Sequence, residues 1–272
     1  MKIYLSADME GVAGVSDPTE VDKSHPDEYG PARAQMTAEV AAACSGAFEA
    51  GATEVFVKDA HWTGRNLDAA RLQAPEGRVL RLILGWSGHP LSMVQELDSS
   101  FDGLAFVGYH SAASRAGNPL AHTLSSRKFF RLEINGEAAS EFLVFGYAAA
   151  TLGVPVRFLA GDAALCADAA ARVPGLVTVA TFEGRGRAIN TLTPAESARR
   201  IREGMARAVG DRAGAVLDLP PHFEVRATFN TAAEAYRRAF YPGAATDGHC
   251  EVSFSTREYF EVLRFLAFMT LG

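Results

Sequence analysis

Short hydrophobic runs alternate with polar, turn-forming segments along the first two thirds of the chain. Buried strands are predicted at 3–7, 54–58, 79–84, 104–109, 154–160 and 177–182. Helices are predicted between them at 31–50, 141–152 and 163–172, and the polar stretch 17–30 is expected to form a surface loop or flap. This alternation predicts an α/β fold with a mainly parallel sheet flanked by helices in Rossmann-like layers.

The pattern changes at two places along the chain. The pair Asn135-Gly136 lies between the extended segments of 129–138, which is a strong hairpin signal. After about residue 190 a helix is predicted to begin at Pro194, a half-exposed strand at 223–229, a further strand at 252–255 and a last helix at 257–270. We therefore expect two domains, an α/β domain over 1–190 and a smaller α+β domain over 191–272 packed on it.

Composition narrows the class of protein. The chain has 272 residues, 48% of them hydrophobic, and a formal net charge of −6, which argues against a general nucleic-acid-binding surface. No apolar run reaches the roughly 18–20 residues of a membrane span, and the start of the chain lacks the order of a signal peptide. The three cysteines are far apart and form no Cys-x-x-Cys motif, which is typical of a reducing compartment. We expect a cytoplasmic globular protein that binds neither nucleic acid nor membrane.

Potential metal ligands follow three of the predicted strands. Asp8 and Glu10 come after strand 3–7, Asp59 and His61 after strand 54–58, and His110 directly after strand 104–109. The carboxyl ends of parallel strands meet at one edge of a sheet, where open α/β folds bind their ligands. The sequence therefore predicts that these side chains lie together in a metal site.

The ligand types restrict the metal without deciding it. Carboxylate and imidazole without thiolate suit Zn²⁺, Mn²⁺ or Co²⁺, and paired metals are a common device of hydrolytic enzymes. Each residue also has a structural interpretation, because an Asp after a strand often caps a helix or turn. Asp59 is open to both interpretations: it could orient His61, or cap the segment that follows. Asp162, at the end of strand 154–160, is equally compatible with a turn or cap.

Five short motifs follow one another along the chain: Ser6-Ala7-Asp8-Met9-Glu10-Gly11, Lys58-Asp59-Ala60-His61, Gly108-Tyr109-His110-Ser111, Ala121-His122-Thr123 and Ile134-Asn135-Gly136 with Glu141 after it. In this order and spacing they resemble the motifs of a known family, the D-aminopeptidase (DppA-type) binuclear zinc peptidases. The resemblance covers nearly the whole chain, is densest over 1–165 and weakens after about 190.

The resemblance implies a zinc-dependent aminopeptidase that hydrolyses short peptides with an N-terminal D-amino acid of the D-alanine type, through a hydroxide activated by two zinc ions per subunit. It implies that Asp8 bridges both metals. The remaining ligands that it implies are Glu10, His61, His110 and Glu141. His122 would be the catalytic histidine, beside the metals without binding them, and would hydrogen-bond the tetrahedral intermediate or pass a proton to the leaving amine. It further implies a ring-based homodecamer.

Two positions depart from the family pattern: Ala121 stands where serine is usual, and Lys58 where a small polar residue is common. These departures bear on substrate preference more than on metal binding. Glu133 and Glu137 are near Glu141, which is preferred because it opens a predicted helix. A related metal-dependent amidase or phosphoesterase, or a binding module without catalysis, stays open as an alternative.

Overall fold

The computed structural model describes residues 1–271 of the chain. Its strands are β1 Lys2–Ala7, β2 Glu54–Asp59, β3 Val79–Ile83, β4 Gly103–Tyr109, β5 Phe129–Ile134, β6 Glu137–Ala138, β7 Val156–Asp162, β8 Val177–Arg185, β9 Ala188–Thr191, β10 Phe223–Phe229, β11 Ala245–Thr246 and β12 Glu251–Thr256. Its α-helices are α1 Pro26–Glu49, α2 Glu141–Thr151, α3 Ala163–Arg172, α4 Pro194–Gly210, α5 Ala232–Arg238 and α6 Tyr259–Leu271.

The larger sheet has seven strands in the order β3-β2-β1-β4-β7-β8-β9, all parallel except β9. The predicted α/β fold with a mainly parallel sheet is confirmed. The chain adds β2 and β3 on one side of β1 and then crosses to place β4 on the other side. The strand order therefore reverses between β1 and β4, and ligand crevices of open α/β sheets form at such a switch point.

Side chains alternate between the two faces of this sheet, so that both faces are apolar and helices pack on both. In β1, Ile3 and Leu5 pack into one apolar cluster, together with residues of α1 and α4. Tyr4 points to the opposite face and joins a second cluster, to which α2 and α6 contribute. Strand β1 is thus buried on both sides, and the acidic residues Asp8 and Glu10 follow at its carboxyl end.

The smaller sheet is antiparallel, with the order β11-β12-β10-β5-β6. Its hairpin β5–β6 turns at Asn135 (φ 54°) and Gly136 (φ 78°), as a two-residue turn with both central residues left-handed requires. This hairpin pairs with β10, whereas α4 packs on α1 over the larger sheet. Segments from before and after residue 190 are therefore interleaved, and the predicted division into domains 1–190 and 191–272 stays a prediction.

Several local expectations were wrong in detail. Helix α1 begins at Pro26 rather than near residue 31, since Pro26 occupies its first position and Pro31 is accommodated inside it. The expected loop therefore shortens and contains a 3₁₀ turn at Pro18–Val21. Strand β9 and helix α5 were not predicted. None of the helices described over residues 1–271 is both long and apolar enough to cross a membrane.

Candidate metal centre

Three adjacent strands deliver the predicted ligands to one edge of the parallel sheet. Asp8 follows β1, His61 lies two residues beyond β2, and His110 follows β4. Asp8 and His110 stand on either side of the point where the strand order reverses, and the Asp8 amide donates to the Val107 carbonyl at 2.8 Å. The expectation that these side chains gather at one sheet edge agrees with their positions.

Two glycines let the ends of β1 and β4 approach closely. A Cβ at Gly11 would lie 1.8 Å from the Tyr109 carbonyl oxygen, and a Cβ at Gly108 would lie 2.1 Å from the Asp8 carbonyl oxygen. Gly108 also has a φ of 74°, which side chains rarely tolerate. The backbone therefore brings Asp8 and Glu10 against the start of the His110 segment, where any larger residue would push them apart.

Asp8 sits at the centre of the cluster, with one carboxylate oxygen toward each side. Its Oδ1 lies 3.2 Å from His61 Nδ1, and its Oδ2 lies 3.4 Å from His110 Nε2. Glu10 joins the first side, with Oε2 at 3.0 Å from His61 Nδ1. Glu141 joins the second, with Oε2 at 3.4 Å from His110 Nε2. A central carboxylate between two imidazole–carboxylate pairs is an arrangement suited to two cations.

His122 lies beside the second pair. Its ring stacks on that of His110, with centroids 4.4 Å apart, and its Nε2 is 3.9 Å from Glu141 Oε1. Two sets of ligand atoms that could each hold a metal ion emerge, one of Asp8, Glu10 and His110 and one of His110, His122 and Glu141. The geometry alone is compatible with His122 as a ligand or as a proton carrier.

Each of the three histidines is anchored by a backbone carbonyl, which must accept a hydrogen bond from the ring. His61 Nε2 donates to the Val21 carbonyl (2.9 Å), His110 Nδ1 to Ser111 (2.9 Å) and His122 Nδ1 to Leu120 (3.0 Å). The other nitrogen of each ring then faces the carboxylates. Fixing the tautomer in this way is how proteins present neutral imidazole to a metal.

Burial and crowding give the cluster strongly perturbed acidities. Burial, followed by the charge of Glu10, raises the pKa of Asp8 to about 6. Burial also opposes ionisation of Glu141, but the nearby His110 outweighs it and the pKa of Glu141 falls to about 2. In the same way, burial disfavours charge on His110, while Glu141 raises the pKa of His110 well above its usual value. Cations are therefore strongly favoured here, and a divalent metal can replace the bound protons.

Two aspartates hold the ligand-bearing loops in place. Asp59 accepts hydrogen bonds from the Asn66 side-chain amide (2.8 Å) and from the Leu67 backbone amide (2.8 Å), and the same Asn66 amide donates to the His61 carbonyl (2.6 Å). Both interpretations offered for Asp59 therefore apply, since it caps the following segment and steadies His61 through Asn66.

Asp162 caps α3 and supports the His110 loop. Its carboxylate accepts from the Ser111 amide (2.6 Å), the Ser111 hydroxyl (2.7 Å) and the Asn118 side chain (3.2 Å). The Asn118 side chain also donates to the Glu10 carbonyl at 2.9 Å. The aspartate thus connects the segments that carry His110 and Glu10.

The chemistry of two buried atoms tests whether these residues fit a metal. Among the residues the structure describes, His110 Nε2 and Glu141 Oε2 have no hydrogen-bond partner, although both are inaccessible to water. Buried polar atoms without a hydrogen-bond partner destabilise the folded state. A nitrogen lone pair that faces two carboxylates makes no favourable interaction unless a cation lies between them. The residues fit a divalent metal.

Glu141, rather than its neighbours, belongs to the cluster. It is the first residue of α2, behind the N-cap Ser140, and its Oε1 accepts from the Leu124 amide at 2.7 Å. Glu133 pairs instead with Arg131, and Glu137 with Arg172.

A cavity of about 530 Å³ opens from the cluster. Asp8, Glu10, His61, His122 and Glu141 line one part of it. Trp62, which directly follows His61 in the chain, lines it too. No pattern in the sequence indicated a role for Trp86 or His89, yet both also line the cavity. Their segment follows β3, one strand beyond the ligand-bearing β2, and that position is the signal that could have found them.

Comparison with known proteins decides the family. A model of the D-aminopeptidase family (Peptidase_M55) matches residues 1–268. The chain belongs to this family. A D-aminopeptidase from Bacillus subtilis (strain 168) is 32% identical over 277 residues, which span 99% of this chain and 97% of that protein. Membership in the D-aminopeptidase family makes the chain an enzyme, a metallopeptidase, as the sequence predicted.

A solved structure of the same family has a similar fold. It is the Zn-dependent D-aminopeptidase DppA from Bacillus subtilis, described as a self-compartmentalizing protease. The match has a TM-score of 0.90 and 31% identity, and it covers 100% of this chain and 97% of that one. Both sheets therefore belong to the common fold of the D-aminopeptidases.

Proposed function

We propose that this D-aminopeptidase uses two zinc ions per subunit to remove an N-terminal D-amino acid from short peptides. The observation that carries the proposal is the central carboxylate of Asp8, which faces an imidazole on each side, at 3.2 Å (His61) and 3.4 Å (His110). The zinc dependence of the similar Bacillus subtilis enzyme supports the choice of metal.

The proposed ligand assignment is supported by the atoms that face each other in the cluster. Asp8 would bridge the two ions, with Glu10 and His61 completing one side and His110 and Glu141 the other. All five side chains are buried, so that their charges act in a poorly solvated site and favour the metal strongly. Zinc, when bound, supplies a water molecule of lowered pKa and polarises the scissile carbonyl group.

His122 is suited to moving a proton beside these ligands. Its Nδ1–H is committed to the Leu120 carbonyl, so its Nε2 is the atom that accepts or donates toward the substrate. The Nε2 atom is 3.9 Å from Glu141 Oε1, longer than a hydrogen bond, and the ring is less buried than that of His110. We assign His122 the role of stabilising the tetrahedral intermediate and protonating the leaving amine.

The cavity also offers groups that can bind the free amino group and the free carboxylate of a short peptide. Its inner part carries the metal cluster, where the free amino group of a substrate would meet a carboxylate or a metal. Arg127 is the one arginine or lysine among the described residues that line the cavity. An arginine there can pair with the free carboxylate of a short peptide, which favours dipeptides and tripeptides over long chains.

The direct test is a zinc assay combined with peptide hydrolysis. Protein freed of metal by chelation should lose hydrolysis of D-alanyl peptides, and added zinc should restore it. A panel of D-peptides, L-peptides, simple amides and phosphoesters then separates a D-aminopeptidase from the related amidase or phosphoesterase. Full peptidase activity in metal-free protein, or turnover confined to phosphoesters, would contradict the proposal.

The assembly is a further part of the proposal. The similar Bacillus subtilis enzyme is described as self-compartmentalizing, and we propose that this chain also forms a closed homo-oligomer, a ring-based decamer, in the cytoplasm. An enclosed chamber would restrict access to small peptides. Light scattering on the purified protein measures the mass directly, and a monomer would contradict this assignment.

A further inference from the structure

The cavity beside the metal cluster has a second, apolar part. On this side the lining residues include Leu263 and Leu266 from α6, together with Met93, which precedes β4. Trp62 and Trp86 complete it, and 49% and 40% of their surfaces remain exposed. Large aromatic side chains left this open inside a concave site are unusual and mark a surface that a ligand covers.

The two tryptophans form a fixed wall. The Trp86 Nε1–H donates to the Trp62 carbonyl at 2.8 Å, so that the two segments are tied together. The backbone supports this contact, since the Gly85 amide donates to the Gly64 carbonyl at 2.6 Å. The wall is therefore shaped before any substrate arrives, which lowers the cost of binding.

The buried Lys58 contacts the two tryptophan segments from the protein interior. Its side chain is completely buried, and its ammonium donates to the carbonyls of Asp59 (2.7 Å) and Gly85 (2.6 Å). The same ammonium lies 4.0 Å from the centroid of the Trp86 ring, within the range of a cation–π interaction. The departure from the family pattern at position 58 is thus connected to the orientation of Trp86.

The wall lies on the side of the cluster where the N-terminal residue of a peptide would bind. Trp62 directly follows His61, which pairs with Glu10. His122, assigned to the leaving amine, lies on the other side of Asp8, next to Glu141. A peptide aligned with its scissile bond at Asp8 therefore places its first side chain toward the tryptophans.

We propose that the Trp62–Trp86 wall selects peptides whose N-terminal residue has a large apolar or aromatic side chain. This inference rests on the proposed peptidase function and specifies its substrate class. A methyl side chain would leave most of a 530 Å³ cavity unfilled, whereas an aromatic ring can cover both indoles. In a hydrophobic substrate pocket, one additional methylene group changes kcat/KM by about 10- to 200-fold.

The test compares kcat/KM for D-Phe-D-Ala and D-Ala-D-Ala in the zinc-loaded, full-length enzyme. We expect a preference of at least about tenfold for the phenylalanyl peptide. Trp86→Ala should reduce this ratio by most of its value, and Trp86→Phe should keep most of it. Tyr236→Ala is the matched control, because Tyr236 is an exposed aromatic residue outside the cavity, and it should leave the ratio unchanged.

The outcomes separate the inference from the function on which it rests. Zinc-dependent hydrolysis with D-Ala-D-Ala preferred, or a preference that survives Trp86→Ala, overturns the inference and leaves the peptidase function standing. Absence of zinc-dependent hydrolysis of both peptides overturns the function and the inference with it. Light scattering on Trp86→Ala should give the mass of the unchanged protein. Dissociation into smaller species would show that the tryptophans face another copy of the chain and would also overturn the inference.

Discussion

Over residues 1–271, buried carboxylates with an unpaired oxygen occur in two regions, and their surroundings differ. At the metal centre, Glu141 Oε2 lies 3.4 Å from His110 Nε2, next to further carboxylates. On the opposite face of the parallel sheet, Glu39 of α1 is equally buried, and its Oε1 accepts from the Ala13 amide (3.1 Å) and the Ser197 hydroxyl (2.8 Å). Within the described part of the chain, Glu39 Oε2 has no hydrogen-bond partner.

The surroundings of Glu141 and Glu39 show what distinguishes a metal-binding carboxylate from a structural one. Glu141 is surrounded by imidazoles that favour its charged form, and its pKa is lowered to about 2. Glu39 meets only neutral donors, and burial raises its pKa to about 7. An unpaired buried oxygen is therefore insufficient evidence for a metal site. Convergence with other ligand atoms, and histidines fixed by carbonyl groups, are the additional signals.

Removal of the central carboxylate should have the largest effect. Asp8→Asn keeps the shape of the side chain but removes the charge that faces both imidazoles, so we expect loss of bound zinc and of peptide hydrolysis down to the level of chelated protein. Atomic absorption and a D-alanyl peptide assay measure both. Asp218→Asn, the same change at an exposed position, should retain both properties. Normal zinc content in Asp8→Asn would contradict the bridging role.

Substitution of His122 should have the next largest effect on activity. It also distinguishes between His122 as a proton carrier and His122 as a metal ligand. With a positioned proton carrier removed, His122→Ala should lower kcat by about 10²–10⁴-fold while two zinc ions stay bound. His249→Ala, at an exposed histidine, is the control. Loss of one zinc ion together with the activity would instead make His122 a ligand, as its place beside His110 and Glu141 also permits.

The comparison also explains which features could be predicted from the sequence. The strands β1 and β4 are buried along almost their whole length and β2 along its second half, so each contains an apolar run, and a ligand next to its end is easily recognised. Glu141 could be located because it opens a helix after a hairpin signal. These local patterns account for the parallel sheet and for the positions of Asp8, His61 and His110 on it.

Features that depend on distant segments could not be predicted. Nothing near Glu39 in the sequence indicates that Ser197, on α4, supplies a hydrogen bond to it. Trp86 lines the cavity in contact with Lys58 and with the Trp62 carbonyl, and both partners are more than twenty residues away in the sequence. The pairing of β5 with β10 places the predicted hairpin in a second sheet, and this pairing spans more than ninety residues of the chain. Such contacts are a property of the folded topology.

Loss of the contacts between Asp162 and the His110 loop should have an intermediate effect on zinc binding. Asp162→Asn replaces a carboxylate oxygen with a donor that faces the donors of Ser111 and Asn118, so the loop that fixes His110 should loosen. We expect zinc affinity to fall about 10- to 100-fold, as is typical when a partner of a ligand is lost. Competition with a chromogenic chelator measures it. Asp168→Asn, on the exposed side of the same helix, should not change affinity, and an unchanged affinity in Asp162→Asn would remove its supporting role.

Glu39→Gln should have no effect on zinc binding but should change the pH dependence of stability. The folded pKa of about 7 exceeds the ordinary value of 4.5, so the folded state binds this proton more tightly than the unfolded state does. The stabilising contribution is fully present below pH 4.5 and is lost as the pH rises through 7. Glutamine resembles the protonated acid at every pH. The variant should therefore match the natural protein near pH 4.5 and exceed its free energy of unfolding by up to about 3 kcal/mol at pH 8.

Urea denaturation at both pH values, at the same zinc concentration, measures this difference, because any loss of zinc at low pH affects both proteins alike. Glu28→Gln is the control, since it makes the same change at an exposed position of the same helix. Equal stability of the Glu39→Gln variant and the natural protein at pH 8 would mean that Glu39 is charged without cost. A cation or an unseen donor would then have to reach its second oxygen, and the contrast with Glu141 would disappear. A more stable variant with normal zinc content would establish that the two regions bury their carboxylates for different reasons, one for a metal and one for packing between α1 and α4.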